Sequence, residues 1–135
     1  MSIRKIVSPK LAEPPQGIYS NCLMVGDQIF ISGMTARGED GQPAGGSDMY
    51  LQAKACMEKI RIMLEAAGAA VADVVKMTVY VTDMGKRPDF GRARNEFFAE
   101  PRPCSTMIEI KGLAGSGCLV EIDVTAIRGA AKSSS

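Results

Sequence analysis

Residues 118–127 alternate between apolar and polar. In an extended chain Val120, Ile122, Val124 and Ala126 fall on one side, and Leu119, Glu121, Asp123 and Thr125 on the other. The pattern predicts a strand from Cys118 to Ile127 with one core face and one face turned to water, a cleft or another chain. A second β-prone run, Cys104 to Lys111, precedes it across a glycine-bearing turn. Asp73 to Thr82 alternates in the same way, with Val75, Met77, Val79 and Val81 on one side and Lys76, Thr78, Tyr80 and Thr82 on the other. Nearer the start, Asn21 to Val25 and Gln28 to Gly33 flank Gly26-Asp27, a two-residue loop that closes a hairpin.

The period changes between these runs. Ala53, Cys56, Ile60, Met63, Leu64 and Ala67 form one helical stripe, with Ser47 or Asp48 as the N-cap and Gly68 as the stop. Met57 and Met63 on this helix are assigned to packing rather than to a soft metal site, because the flexible thioether chain fills core gaps. Pro88 opens a second helix to about Ala99, with Phe90, Ala93 or Arg94, and Phe97 inward, and Arg87, Arg92 and Arg94 as a solvated face. Arg37 to Gly46 holds four glycines and a proline and reads as a surface loop. No Gly-Lys-Ser/Thr follows it, so it is not a phosphate cradle.

The order β-β-α-β-α-β-β predicts an α+β domain whose mixed sheet has both helices on one face. The other face would carry a mixture such as Ser105, Met107, Glu121 and Thr125, or their alternates. Water or a partner chain would cover it.

Length and composition narrow the picture. The 135 residues are 46% hydrophobic, with 16 basic and 15 acidic side chains, as expected of one domain over residues 1–128 followed by a small polar tail, 129–135, expected to be disordered. The near-balance of charge and only four phenylalanines and three tyrosines argue against nucleic acid as a partner. The four cysteines, Cys22, Cys56, Cys104 and Cys118, make no C-x-x-C pair and the chain has no histidine, so no metal site and no disulfide are expected. No signal-peptide core and no membrane span are legible, and the expectation is a soluble cytoplasmic protein without a membrane partner. Without histidine, any proton transfer falls to Asp, Glu, Lys, Tyr, Cys or bound water.

Several segments together resemble the RidA/YjgF family of reactive-intermediate deaminases, also labelled L-PSP endoribonucleases. They are Gly17-Ile18-Tyr19-Ser20, Ile29-Phe30-Ile31-Ser32-Gly33, Gly68 with Asp73-Val74-Val75-Lys76, Val79-Tyr80-Val81-Thr82-Asp83-Met84, and Leu119-Val120-Glu121-Ile122-Asp123. The resemblance spans nearly the whole chain and implies a chorismate-mutase-like α+β fold. It further implies a homotrimer with a small-molecule cleft at each subunit boundary, and hydrolysis of small enamines and imines such as 2-aminoacrylate with no cofactor.

Among the residues the resemblance marks, Glu121 matches the glutamate that holds or activates the attacking water. Its alternative role is an interface acid bonded to a neighbour's backbone. Ser32 is a second catalytic candidate, or a bulge or turn residue, and Tyr19 contacts substrate or covers the cleft mouth. The family's carboxylate-binding arginine falls at Ser105 and its cysteine at Met107, while Arg94 falls where the second helix carries an asparagine. A serine offers one neutral hydrogen bond in place of a bidentate ionic pair. The implied activity is therefore a deaminase poor on 2-aminoacrylate. The alternative is a non-catalytic trimer that binds a metabolite or a protein in the same clefts. Ribonuclease activity follows from the older label alone, and neither charge nor aromatic content encourages it.

Overall fold

A computed structural model describes residues 2–131. Its elements in chain order are β1 (Ile3–Lys5), β2 (Cys22–Val25), β3 (Gln28–Thr35), α1 (Met49–Ala66), β4 (Val74–Val81), α2 (Arg87–Phe97), β5 (Cys104–Glu109) and β6 (Val120–Ile127). One six-stranded sheet runs β1-β2-β3-β6-β4-β5, and all its neighbours are antiparallel except the parallel pair β4–β5. The α+β mixed sheet expected from the patterning is therefore present. The strands β5 and β6, adjacent in sequence, are not neighbours, because β4 lies between them. β6 takes the interior place because its apolar side, Val120, Ile122, Val124 and Ala126, is wholly buried and needs a strand on either flank. β5 has no fully buried residue and forms the edge.

Helix α1 covers β3 and β6, and α2 packs beside α1. The predicted stripe of α1 is buried in full, Met57 and Met63 included. Asp48 is the N-cap: its carboxylate accepts from the Leu51 N–H at 3.0 Å. Gly68 ends the helix at φ +77°, and the Ala69 N–H reaches back to the Leu64 carbonyl at 2.8 Å, the bonding of a Schellman stop. Buried within α1 is Gln52, whose amide donates to the Gly46 and Gly117 carbonyls at 2.6 and 3.0 Å and accepts from the Leu119 N–H at 2.8 Å. One side chain thus ties the helix to the loop before it and to the approach to β6.

Four features depart from the sequence reading. β1 lies within the segment read as a loose start; it pairs with β2, and all three of its residues are exposed. β3 runs on to Thr35 because a bulge at Ser32–Gly33 shifts its register against β6 rather than ending the strand. A second irregularity between Val74 and Lys76 turns Val75 outward, so the buried row of β4 is Val74, Met77, Val79 and Val81. α2 stops at Phe97, two residues early, where the chain becomes extended and carries Phe98 into the core.

At the far end, the Ala131 N–H donates to Asp73 at 3.0 Å, and the rest of the expected tail, 132–135, lies outside the described residues. Cys22, Cys56 and Cys118 are buried, Cys104 is exposed, and all four are free. Among the described residues no helix is long and apolar enough to cross a membrane, and no group of acidic, cysteine or histidine side chains could hold a metal.

Candidate functional site

The uncovered face of the sheet is set by register. Across β3, β6, β4 and β5 one row of partners reads Phe30, Thr125, Lys76 and Cys104, and a parallel row reads Thr35, Glu121, Tyr80 and Ile108. Between them lie Asp123, Thr78 and Thr106. Phe30 and Ile108 are each more than 40% exposed, yet five hydroxyl residues and two carboxylates share the face with them. Such a surface is neither a core nor an ordinary solvated exterior.

Glu121 stands at the centre of this chemistry. It is half-buried, and its carboxyl lies directly over Gly33 in the β3 bulge, where a Cβ would come within 2.6 Å of the Glu121 Cδ. What glycine supplies there is room for that carboxyl, not a special backbone angle. Burial, with a smaller contribution from the neighbouring Asp123 charge, raises the Glu121 pKa above the ordinary carboxylate value. Asp123 in turn accepts from the Tyr80 hydroxyl at 3.1 Å, and its charge and that bond raise the tyrosine pKa. Tyr80 therefore holds its proton at neutral pH, and Glu121 is the carboxylate of the pair left without a hydrogen-bond donor among the described residues.

Ser32 occupies the same bulge. Its hydroxyl donates to the Ser20 carbonyl at 2.6 Å and its N–H to the Asn21 carbonyl at 2.9 Å, which pins the segment after Tyr19 to β3. With its one proton engaged, the Ser32 oxygen can only accept from a further partner. Tyr19 itself is 56% exposed, in the loop that follows Gly17. The bulge thus ties Ser32 to the Ser20 carbonyl, one residue from Tyr19, and sets Gly33 beneath Glu121.

Ser105 and Met107 are not on this face. They pair with Met77 and Val79, whose side chains are buried beneath the helices, so Ser105 and Met107 leave the sheet on the helix side. The mixture expected on one face is therefore split, and the alternates Cys104, Thr106 and Ile108 stand on the open side with Glu121. Parity explains the split: Met77 and Tyr80, the β4 partners of Ser105 and Glu121, are three residues apart and point opposite ways. Arg94 is also in the helix layer, on α2, where its Nε donates to the Asn95 side chain at 3.2 Å.

Gly33, Tyr80 and Asp123 are members of the Glu121 neighbourhood that sequence reasoning did not mark as site residues. Tyr80 and Asp123 were visible as polar positions on alternating strands. Their meeting across β4 and β6, and the approach of Glu121 to Gly33, follow from pairing that alternation alone does not fix.

The profile of the family described as Endoribonuclease L-PSP matches residues 10–128. A RutC family protein of Pyrococcus abyssi is 32% identical over 93% of this chain and 98% of its own length. A 2-iminobutanoate/2-iminopropanoate deaminase of Dermatophagoides farinae is 26% identical, covering 84% of this chain and 88% of its own. The crystal structure of RidA from the Antarctic bacterium Psychrobacter sp. PAMC 21119 superposes with a TM-score of 0.82 at 28% identity, over 92% of this chain and 98% of that one. Fold, profile and relatives agree, and the chain belongs to the Endoribonuclease L-PSP family, the RidA/YjgF proteins.

Proposed function

We propose that this protein is a hydrolytic deaminase of small imines or enamines, with Glu121 as the group that activates water. One observation carries the reading: a half-buried carboxylate of raised pKa, held over a bare glycine and given no hydrogen-bond donor by its own described chain. Once ionised, such a group takes a proton from water as the oxygen attacks the imine carbon. That proton passes to the nitrogen to give the carbinolamine, whose hydroxyl proton is then carried by the same carboxylate to the nitrogen as the C–N bond breaks, so that ketone and ammonia leave. An enamine enters the same sequence after protonation at carbon. Ser32 would accept a hydrogen bond from substrate or water, and Tyr19 would close the mouth.

The assembly proposed is a homotrimer. Glu121 lies on the open side of the sheet beside the bulge that carries Ser32, whereas Ser105 and Met107 lie on the helix side and Arg94 on α2. A cleft that uses both sets must join two copies of the chain. The half-apolar open face is the surface that such an assembly would cover. Sedimentation equilibrium at micromolar concentration is expected to give three chains per particle; a monomer would overturn the assembly.

The test of the chemistry is ammonia release from a panel of imines and enamines by wild type and Glu121→Gln. Loss of about a hundredfold or more in the variant is expected; equal rates would remove Glu121 from the mechanism. Activity on 2-aminoacrylate is expected to be weak. Ser105→Arg, on an exposed edge strand that tolerates it, should raise that activity about ten- to a thousandfold by supplying a guanidinium for the carboxylate.

A second reading, a non-catalytic module that binds a metabolite or protein, is favoured by the serine at position 105. A Ser105→Arg variant that folds, assembles and still releases no ammonia would support it.

A further inference from the structure

The loop that carries Tyr19 into β2 has little packing of its own. Residues 15–19 are all exposed, the Ile18 N–H closes a turn on the Pro15 carbonyl at 3.2 Å, and Gly17 takes a φ of +86°. A segment that buries so little is held in place by its ends. Both ends meet at Asn21, the residue before β2, whose side chain is buried. Its amide nitrogen donates to the Ala12 carbonyl at 3.0 Å and to the Glu13 Oε2 at 3.1 Å. The two hydrogens of one NH2 group are thus spent on two acceptors at the far end of the loop. The main chain beside it faces the other way. The Asn21 carbonyl accepts from the Ser32 N–H at 2.9 Å, and the Ser20 carbonyl accepts from the Ser32 hydroxyl at 2.6 Å.

Glu13 is the less expected half of this arrangement. Its side chain is only one quarter exposed, and its Oε1 is shut away from water without a hydrogen bond among the described residues. That oxygen faces the Lys5 ammonium at 3.7 Å, reached from β1. A carboxylate drawn out of water in a surface loop calls for a reason, and an ion pair with an exposed lysine stabilises too little to supply one. The reason is Asn21. With the Ala12 carbonyl alone, one hydrogen of the buried amide would be left unpaired; Glu13 takes it, and the base of the loop closes. One asparagine therefore fastens the start of the loop through its side chain and docks the end of the loop on the β3 bulge through its main chain.

We infer that Asn21 and Glu13 are positioning residues, a latch that fixes the loop bearing Tyr19 against the Ser32–Gly33 bulge and so sets how substrate is held there. What Tyr19 does for substrate rests on the deaminase reading; the latch itself does not.

The experiment measures kcat and KM for ammonia release from the imine or enamine that wild type turns over fastest, and amide hydrogen exchange at Ser32 by NMR. Wild type is compared with Asn21→Ala, Glu13→Ala, Glu13→Gln, Tyr19→Ala and the double variant Glu13→Ala with Tyr19→Ala. Asn21 is buried and its loss threatens the fold, so Glu13→Ala, in the loop, carries the comparison. It should raise KM about fivefold or more with kcat within about twofold, because a misplaced loop weakens binding and leaves the reacting groups intact. Glu13→Gln keeps an oxygen for the Asn21 amide and should restore KM to within about twofold of wild type. In the Tyr19→Ala background Glu13→Ala should change KM no further, since a latch has nothing to position once the side chain is gone. The Ser32 amide should exchange faster in Glu13→Ala and in Asn21→Ala than in wild type. A KM unchanged in Glu13→Ala, an equal rise with and without Tyr19, no recovery in Glu13→Gln, or unaltered exchange at Ser32 would overturn the inference. Absence of ammonia release from wild type would overturn the deaminase reading, and the exchange at Ser32 alone would then uphold or overturn the latch.

Discussion

Replacing Gln52 by leucine isolates the tie between α1 and the start of β6. The two side chains have similar volume, so the change removes three hydrogen bonds without opening a large cavity. It leaves the Gly46 and Gly117 carbonyls and the Leu119 N–H without their partner. A buried polar group left unpaired costs about 1–3 kcal/mol. Gly46 and Gly117 are themselves exposed, so water can replace the lost donors there at little cost, whereas Leu119 is half-buried. The sum expected is about 2–4 kcal/mol, a large share of a typical domain's stability of roughly 5–15 kcal/mol. Urea unfolding, read by far-ultraviolet dichroism at one fixed protein concentration because assembly adds to apparent stability, should show a lower midpoint and an unchanged slope. Since Leu119 is two residues from Glu121, ammonia release should fall together with stability. A midpoint shift worth less than about 0.5 kcal/mol would refute the reasoning, because it would mean that the three bonds contribute no more than their exchange with water.

Three further outcomes are expected. The raised pKa of Glu121 means that the folded chain binds its proton more tightly than the unfolded chain does. Stability contributed by the protonated form is therefore lost as pH rises from the ordinary carboxylate value through the folded one. Glu121→Gln should match wild type below that window and exceed it in stability above, while the wild-type rate should rise across it; melting curves at a series of pH values check the first and a pH–rate profile the second. Gly33→Ala should keep the fold, since the obstructed atoms belong to a flexible side chain, yet lose about tenfold or more in kcat/KM by swinging the Glu121 carboxylate aside; unchanged kinetics would mean that its position is immaterial. Burial pushes the thiols of Cys22 and Cys56 up to about 11 and about 12, and Cys118 is also buried, so a disulfide reagent should find no more than one thiol, Cys104, in the native protein and the other three only after denaturation.

What the sequence made legible follows the strength of each physical signal. α1 could be read to its caps because its stripe, Asp48 and Gly68 all act within a few residues of one another. β1 could not, since its three exposed residues are held by backbone bonds to β2 and bury nothing that a pattern would show. Alternation placed the core side of β6 correctly, but it fails at a bulge, where one extra residue inverts the parity. That is why Val75 was assigned to the wrong side. Alternation also fixes faces only within a strand: whether Ser105 stands with Glu121 depends on β4 lying between their strands and on the register of each pair, which are long-range facts. The candidate residues around the bulge were found through resemblance. The structure adds two local facts that resemblance did not give, a hydroxyl that pins the segment after Tyr19 and a glycine that admits the Glu121 carboxylate.

The opposite parity of Glu121 and Ser105 has a genetic counterpart. If each cleft draws its glutamate from one copy and its β5 side chains from the next, two variants that are inactive alone, one at Glu121 and one on the helix side of β5, can repair each other when their chains mix. In a randomly mixed equimolar trimer, about one cleft in four would combine an intact glutamate with an intact β5 from different chains. A dead protein would thus recover part of its activity from another dead protein, with no wild-type chain present.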